Sequence, residues 1–373
     1  MLKAPPAEFA EKEAYLSQQL ITYIGNKRSL LGFIGGGIKK IQNRLNKKRF
    51  SMFDVFSGSG IVARYFKQFA DILIVNDLEK YSSVINRCYL SNEDELQIHE
   101  LKDYYTEITG ALSDKYLKRG IVSDLYAPFD DCNIKKSERV FYTARNAMYI
   151  DTARQLIGKI PEGSRIFFLA PLLSEASIHA NTSGVFKGFY KNKDKGIGQF
   201  GGKNRDALLR ITGNIHLPFP VFSNFNSEVL VYQGDANTVI KNAPEVDIAY
   251  LDPPYNQHPY GSNYFMLNLI VDYEAPFKAS RISGIPEDWN RSAYNKAKYA
   301  YSALTALITE IKAKYILVSF NSEGFISPGG MKDMLHRLGK AEVLETDYNT
   351  FRGGRNLNNR NIHVKEYLYL LEK

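Results

Sequence analysis

Two apolar runs that each end on a carboxylate constrain this chain most: Ile72-Leu73-Ile74-Val75-Asn76-Asp77 and Asp247-Ile248-Ala249-Tyr250-Leu251-Asp252. A half-buried strand alternates polar and apolar positions, whereas a strand covered on both faces is apolar throughout and turns polar where it leaves the sheet. Such runs belong inside a mostly parallel α/β sheet, whose sites gather at the carboxyl ends of the strands. Further strands are expected at Met52–Phe56, Val229–Gln233, Tyr315–Phe320, Glu342–Asp347 and Lys365–Leu371. The segment joining the last two has no room for a full crossover helix, so they should pair antiparallel at the end of the sheet.

Between Glu95 and Asn224 the strand–helix rhythm lapses. That stretch holds a helical pattern over Ser137–Gly158 and then a loop-rich basic tract, Ala180–Arg205. Residues 96–221 are therefore expected to form a smaller inserted domain, with residues 1–95 and 222–373 making up the sheet-bearing one. The 373 residues are 44% hydrophobic, enough for a substantial core. The longest apolar stretch, Ile166–Leu173, is far short of the roughly 20 residues that cross a bilayer. The N-terminus carries early charges and no apolar segment, so a cytoplasmic protein without a membrane partner is expected. Cys88 and Cys132 have no metal-ligand spacing and the six histidines are scattered, so no metal is expected. The net charge of +8 is clustered. Lys187 and Lys191 sit among Phe186, Phe189 and Tyr190, and Arg352, Arg355 and Arg360 lie in a Gly/Asn-rich loop, a pattern suited to phosphate contacts.

Phe56-Ser57-Gly58-Ser59-Gly60 follows the first expected strand and leads into a helix. Glycines at such a turn let the backbone approach a ligand, and Asp77 at the end of the second strand can accept hydrogen bonds from ribose hydroxyls or cap the next helix. A full GxGxxG is absent because position 63 is Ala, which disfavours a nicotinamide cofactor.

Asp252-Pro253-Pro254-Tyr255 carries the chemistry. Two prolines stiffen the backbone and remove two N–H donors, leaving the Asp252 carboxylate and the Pro253 carbonyl as acceptors beside an aromatic face. The amino group of adenine or cytosine is a poor nucleophile because its lone pair is delocalised into the ring. Acceptors that hold both amino hydrogens favour a pyramidal nitrogen and aim its lone pair at an electrophile, while Tyr255 can stack on a base rotated out of a duplex. Catalysis of this kind is positioning and directed hydrogen bonding, with no nucleophile triad or metal.

On these residues the sequence resembles the Dam-like, alpha-group amino-methyltransferases of DNA, adenine-modifying enzymes of restriction–modification systems. The resemblance implies a Rossmann-like methyltransferase sheet, S-adenosylmethionine as methyl donor, double-stranded DNA as substrate and a cognate restriction endonuclease as a functional partner. It implies that Tyr23, Gly25, Asn26 and Lys27 belong to the segment packing over the cofactor. It also makes Phe56, Ser57, Gly58, Ser59 and Gly60 the cofactor glycine loop, Asp77 the ribose acid, and Asp235 and Ala236 neighbours of the cofactor adenine. Asp252, Pro253, Pro254 and Tyr255 are its catalytic tetrapeptide, with Asp252 also facing the cofactor, and Asn263 and Tyr264 lie in the loop closing over the base. In that family the glycine loop precedes the tetrapeptide and the insertion between them recognises the target; here Asp252 lies 192 positions after Gly60. Amino methylation of cytosine or of an RNA base, and a non-enzymatic DNA-binding protein on the same scaffold, remain the alternatives at this point.

Overall fold

The computed structural model describes residues 11–192, 194–202, 207–349 and 363–373; Arg352, Arg355 and Arg360 lie outside them. Seven strands, β1 (Phe50–Asp54), β2 (Ala70–Asp77), β3 (Glu228–Gln233), β4 (Val246–Leu251), β5 (Ala313–Asn321), β6 (Lys340–Asn349) and β7 (His363–Glu372), form one sheet. Their order is β3-β2-β1-β4-β5-β7-β6. The first five are mutually parallel. The antiparallel pairing is as expected, but its placement is more specific: β7 inserts between β5 and β6 and runs against both.

Period-two alternation decides which helices each strand meets. Met52, Leu73, Val75, Ile248, Tyr250 and Leu317 point to one face, beneath the helices Leu31–Leu45 and Ile61–Phe66. Phe53, Ile74, Ala249, Leu251, Ile316 and Val318 point to the other, beneath Ala297–Glu310 and Pro328–His336. Both faces are covered, which is why the central runs are apolar without interruption.

The inserted stretch is helical. Ile98–Ala111, Ala144–Ile157 and Glu162–Ile178 share one hydrophobic core with Lys80–Tyr89, the helix after β2, and with Phe265–Asp272. The helix expected from Ser137 begins only at Ala144, where the Thr143 side chain accepts from the Asn146 N–H. The apolar run around Phe168 lies buried within Glu162–Ile178, and among the described residues no helix is long and apolar enough to cross a membrane.

The N-terminal segment is tied down by Arg64. Buried on the helix Ile61–Phe66, Arg64 donates to the carbonyls of Tyr15 and Gln18 and lies over the rings of Tyr15 and Tyr89. Burial lowers its pKa to about 10, so it remains charged at neutral pH. This anchor sets the path of the chain toward Tyr23 and Lys27.

Candidate active site

β1 and β4 lie side by side, and from them the sheet continues in opposite directions, through β2 on one flank and β5 on the other. A crevice opens outside the carboxyl ends of strands at such a switch point. The glycine loop leaves β1 and Asp252 leaves β4 at that place, joined by the Val55 N–H donating to the Tyr250 carbonyl at 3.1 Å.

A cleft of about 680 Å³, counting its open mouth, lies there, a size suited to a ligand of a few tens of heavy atoms. Tyr23, Gly25, Phe56, Asp77, Asp235, Ala236, Asp252 and Pro254, all singled out from the sequence, line it together. Glu79, Tyr260, Asn290 and Tyr294 also line it and were not foreseen. The Phe56 and Tyr294 rings meet edge to face at 5.1 Å, giving the cleft an apolar side. Asp235 caps the short helix Ala236–Val239 by accepting from the Thr238 N–H.

Asp77 does not cap the following helix, whose N-cap is Glu79 with no side-chain cap, but binds backbone on both sides of the β2 end. Its Oδ1 accepts from the Glu79 N–H at 2.9 Å and its Oδ2 from the Gly58 N–H at 2.8 Å, fixing the glycine loop to the end of β2. Burial raises its pKa to about 6, against the pull of those N–H donors. Glu79, raised to about 7 by burial and by the Asp77 carboxylate, accepts from Asn268 and Asn290.

Of the glycine loop only Phe56 faces the cleft. Ser57 and Ser59 are buried, and the Ser57 hydroxyl donates to the Asn76 carbonyl and accepts from Asn86. Gly58, at φ +51°, lies under the Tyr23 ring; a Cβ there would stand 2.8 Å from it. Tyr23 in turn stacks on Tyr260 and Tyr264, each at 4.9 Å between centroids.

A second cavity lies against the first, with Tyr23 and Gly25 common to both walls. Asn26 and Lys27, expected at the cofactor, line this second cavity, with Tyr255, His258, Gly184 and Glu366. The Asn26 side chain accepts from the Arg28 N–H at 2.8 Å. Lys27, 3% exposed, places its Nζ 3.2 Å from Asp252 Oδ1 and 3.9 Å from Glu366 Oε1. Burial opposes its charge, but the two carboxylates hold the ammonium well above its ordinary range. Burial raises Asp252, with Lys27 pulling the other way. Asp252 keeps 18% of its side chain exposed, opening on the first cavity.

Asn263 and Tyr264, expected at the DNA, are buried at 1% and 0%. Tyr264 accepts from the Ile24 N–H at 2.8 Å, so it braces the N-terminal segment. Lys187 and Lys191 are exposed; Lys187 lies close enough to His258 to lower its pKa further after burial has done so, and Lys191 sits over the Phe189 ring.

A family model described as D12 class N6 adenine-specific DNA methyltransferase matches residues 23–334. The type II methyltransferase M.NlaIII of Neisseria lactamica is 33% identical over 363 residues, 95% of this chain and 99% of that protein. M.CviAII of Paramecium bursaria Chlorella virus 1 is 29% identical over 359 residues, 94% and 98% of the two chains. M.FokI of Planomicrobium okeanokoites is 26% identical, and there the match covers 94% of this chain but 52% of that protein. The chain belongs to the D12 class of N6 adenine-specific DNA methyltransferases.

Proposed function

We propose that this chain holds S-adenosylmethionine in the cleft beside β1 and β4 and methylates N6 of an adenine turned out of duplex DNA into the neighbouring cavity. The observation that carries the reading is the reach of the tetrapeptide: Asp252 opens on one cavity and Tyr255, three residues on, opens on the other. The cleft suits the donor. Asp77 and Glu79 are acceptors for ribose hydroxyls, Phe56 and Tyr294 offer apolar contact, and Asp235 and Ala236 border the far end. When bound, the donor supplies an electrophilic methyl carbon.

The protein's own residues do the rest. Asp252 and the Pro253 carbonyl accept the two amino hydrogens and orient the nitrogen lone pair. Tyr255, held edge to face on Phe320 at 5.8 Å, presents its ring to the base. The stack of Tyr23, Tyr260 and Tyr264 keeps the wall between the cavities rigid. We assign target recognition to residues 96–221 and phosphate contacts to Lys187, Lys191, Arg352, Arg355 and Arg360, because Lys187 and Lys191 are exposed beyond the inserted helices and the three arginines fall together in a Gly/Asn-rich stretch of the sequence. A cognate restriction endonuclease as functional partner accords with the type II relatives.

Incubation with methyl-labelled S-adenosylmethionine and duplex DNA, then nucleoside analysis, should place the label in N6-methyladenine. Asp252→Ala should lower turnover by about a hundredfold or more while leaving measurable cofactor binding. Label in a different base, or wild-type turnover by this variant, overturns the reading. Neutralising Lys187 and Lys191 should flatten the slope of log K against log salt by about 0.9 for each phosphate that is no longer neutralised.

A further inference from the structure

Glu366 has no role in the chemistry described so far, yet its placement is unusual. It sits on β7, the antiparallel strand, between Asn321 of β5 and Thr346 of β6. Its side chain is 3% exposed, lines the cavity that Tyr255 and Lys27 share, and leaves Oε2 buried without a hydrogen-bond partner. A carboxylate in such a place is strongly disfavoured unless an opposite charge faces it. The facing charge is Lys27, whose ammonium lies between Asp252 at 3.2 Å and Glu366 at 3.9 Å.

Two carboxylates therefore share one cation. A lysine paired with Asp252 alone would concentrate its three N–H donors on the carboxylate that must receive one of the adenine amino hydrogens. A second carboxylate draws the ammonium back toward β7. We propose that Glu366 is a positioning residue for methyl transfer: by sharing Lys27 it keeps an Asp252 oxygen available to the adenine amino group. The proposal rests on the amino-orienting role given to Asp252 above.

Other groups face this triad, and they bear on its titration. Asp54, buried at the end of β1, feels the charge of Asp252; the hydroxyls of Tyr250, from β4, and of Tyr255 lie near Lys27, and Tyr260 feels both Lys27 and Asp252. His258 borders the same cavity from the loop beyond. Glu366→Gln removes one negative charge and leaves the rest. Lys27 is then committed to Asp252 and the like-charge repulsion is gone, so both changes make Asp252 easier to ionise.

The test compares wild type, Glu366→Gln, Glu366→Asp, Lys27→Gln and the double variant Lys27→Gln/Glu366→Gln. For Glu366→Gln, kcat should fall about tenfold or more, with the S-adenosylmethionine Kd from calorimetry within about twofold. The acid limb of its kcat profile should move to lower pH by about half a unit or more. Glu366→Asp keeps the charge and should leave the limb in place while recovering part of the rate. Adding Glu366→Gln to Lys27→Gln should cost no further rate, and melting temperatures of the ligand-free proteins should show coupling between the two positions. If Glu366→Gln fails to melt cooperatively, Glu366→Asp and the melting-temperature coupling decide. An unmoved acid limb with wild-type kcat, or fully additive effects of the two changes, overturns the proposal while an inactive Asp252→Ala still supports the amino-orienting role. An active Asp252→Ala overturns that role itself.

Discussion

Glu79 stands 2% exposed in the wall of the cleft and titrates near 7 because burial and Asp77 both work against its charge. In an unfolded chain a glutamate titrates near ~4.3. The folded protein thus keeps a proton that the unfolded chain has already lost, and the stability this gives at low pH is lost as pH rises from about 4 through about 7. Glu79→Gln has no such titration. Its melting temperature relative to wild type should climb across that window and level off above it, and a flat difference from pH 4 to 8 would show that Glu79 ionises freely. Gly58 carries a different constraint. Alanine there meets both the positive φ of +51° and the Tyr23 ring, so Gly58→Ala should cost about 1–3 kcal/mol of stability and weaken cofactor binding, read by thermal melting and calorimetry. Asp77 and Asp252 could be found from sequence because each closes an apolar strand and so must emerge at the sheet's edge. Glu79 and Glu366 could not. Their importance comes from what packs over them, and Glu366 lies in an ordinary-looking strand where only its inward register distinguishes it from the exposed Lys365.

The strands were legible because burial on both faces leaves an unbroken apolar signature, and all seven appear close to their expected positions. The helix boundary at Ala144 was not. Residues 140–142 carry apolar side chains compatible with a helix, but their backbone is bonded elsewhere: the Phe141 N–H to the Tyr126 carbonyl, and the Val140 and Phe141 carbonyls to Asn181. Long-range bonds of this kind outweigh local propensity and leave no periodic trace. The turn Tyr260–Asn263 illustrates how closely elements meet around the cleft. A Cβ at Gly261 would stand 2.5 Å from the Asn290 carbonyl oxygen, backbone against backbone. Gly261→Ala should therefore push this turn away from the segment carrying Asn290, costing about 1–3 kcal/mol. A higher Kd for S-adenosylmethionine is expected from calorimetry, and a wild-type Kd would mean that the turn does not shape the cleft.

The inserted helices share a hydrophobic core with Lys80–Tyr89 and Phe265–Asp272 of the sheet-bearing part, so the two should unfold together. Leu172, at 0% exposure in that core, is a direct probe. Leu172→Ala should cost about 2–5 kcal/mol and lower one calorimetric transition without splitting it; two separated transitions would mean that the insertion is an independent folding unit. The position of β7 between β5 and β6 also sets an order of assembly. Among the described residues β6 is hydrogen-bonded to the sheet only through β7, so it has nothing to add itself to until β7 has arrived. Docking of β7 on β5 is a non-local step that is slow relative to helix formation. The cleft at β1 and β4 can form before that docking, whereas the carboxylate that shares Lys27 arrives with it. A refolding enzyme should accordingly regain affinity for its methyl donor first and its turnover later, with the lag between them timing the arrival of β7.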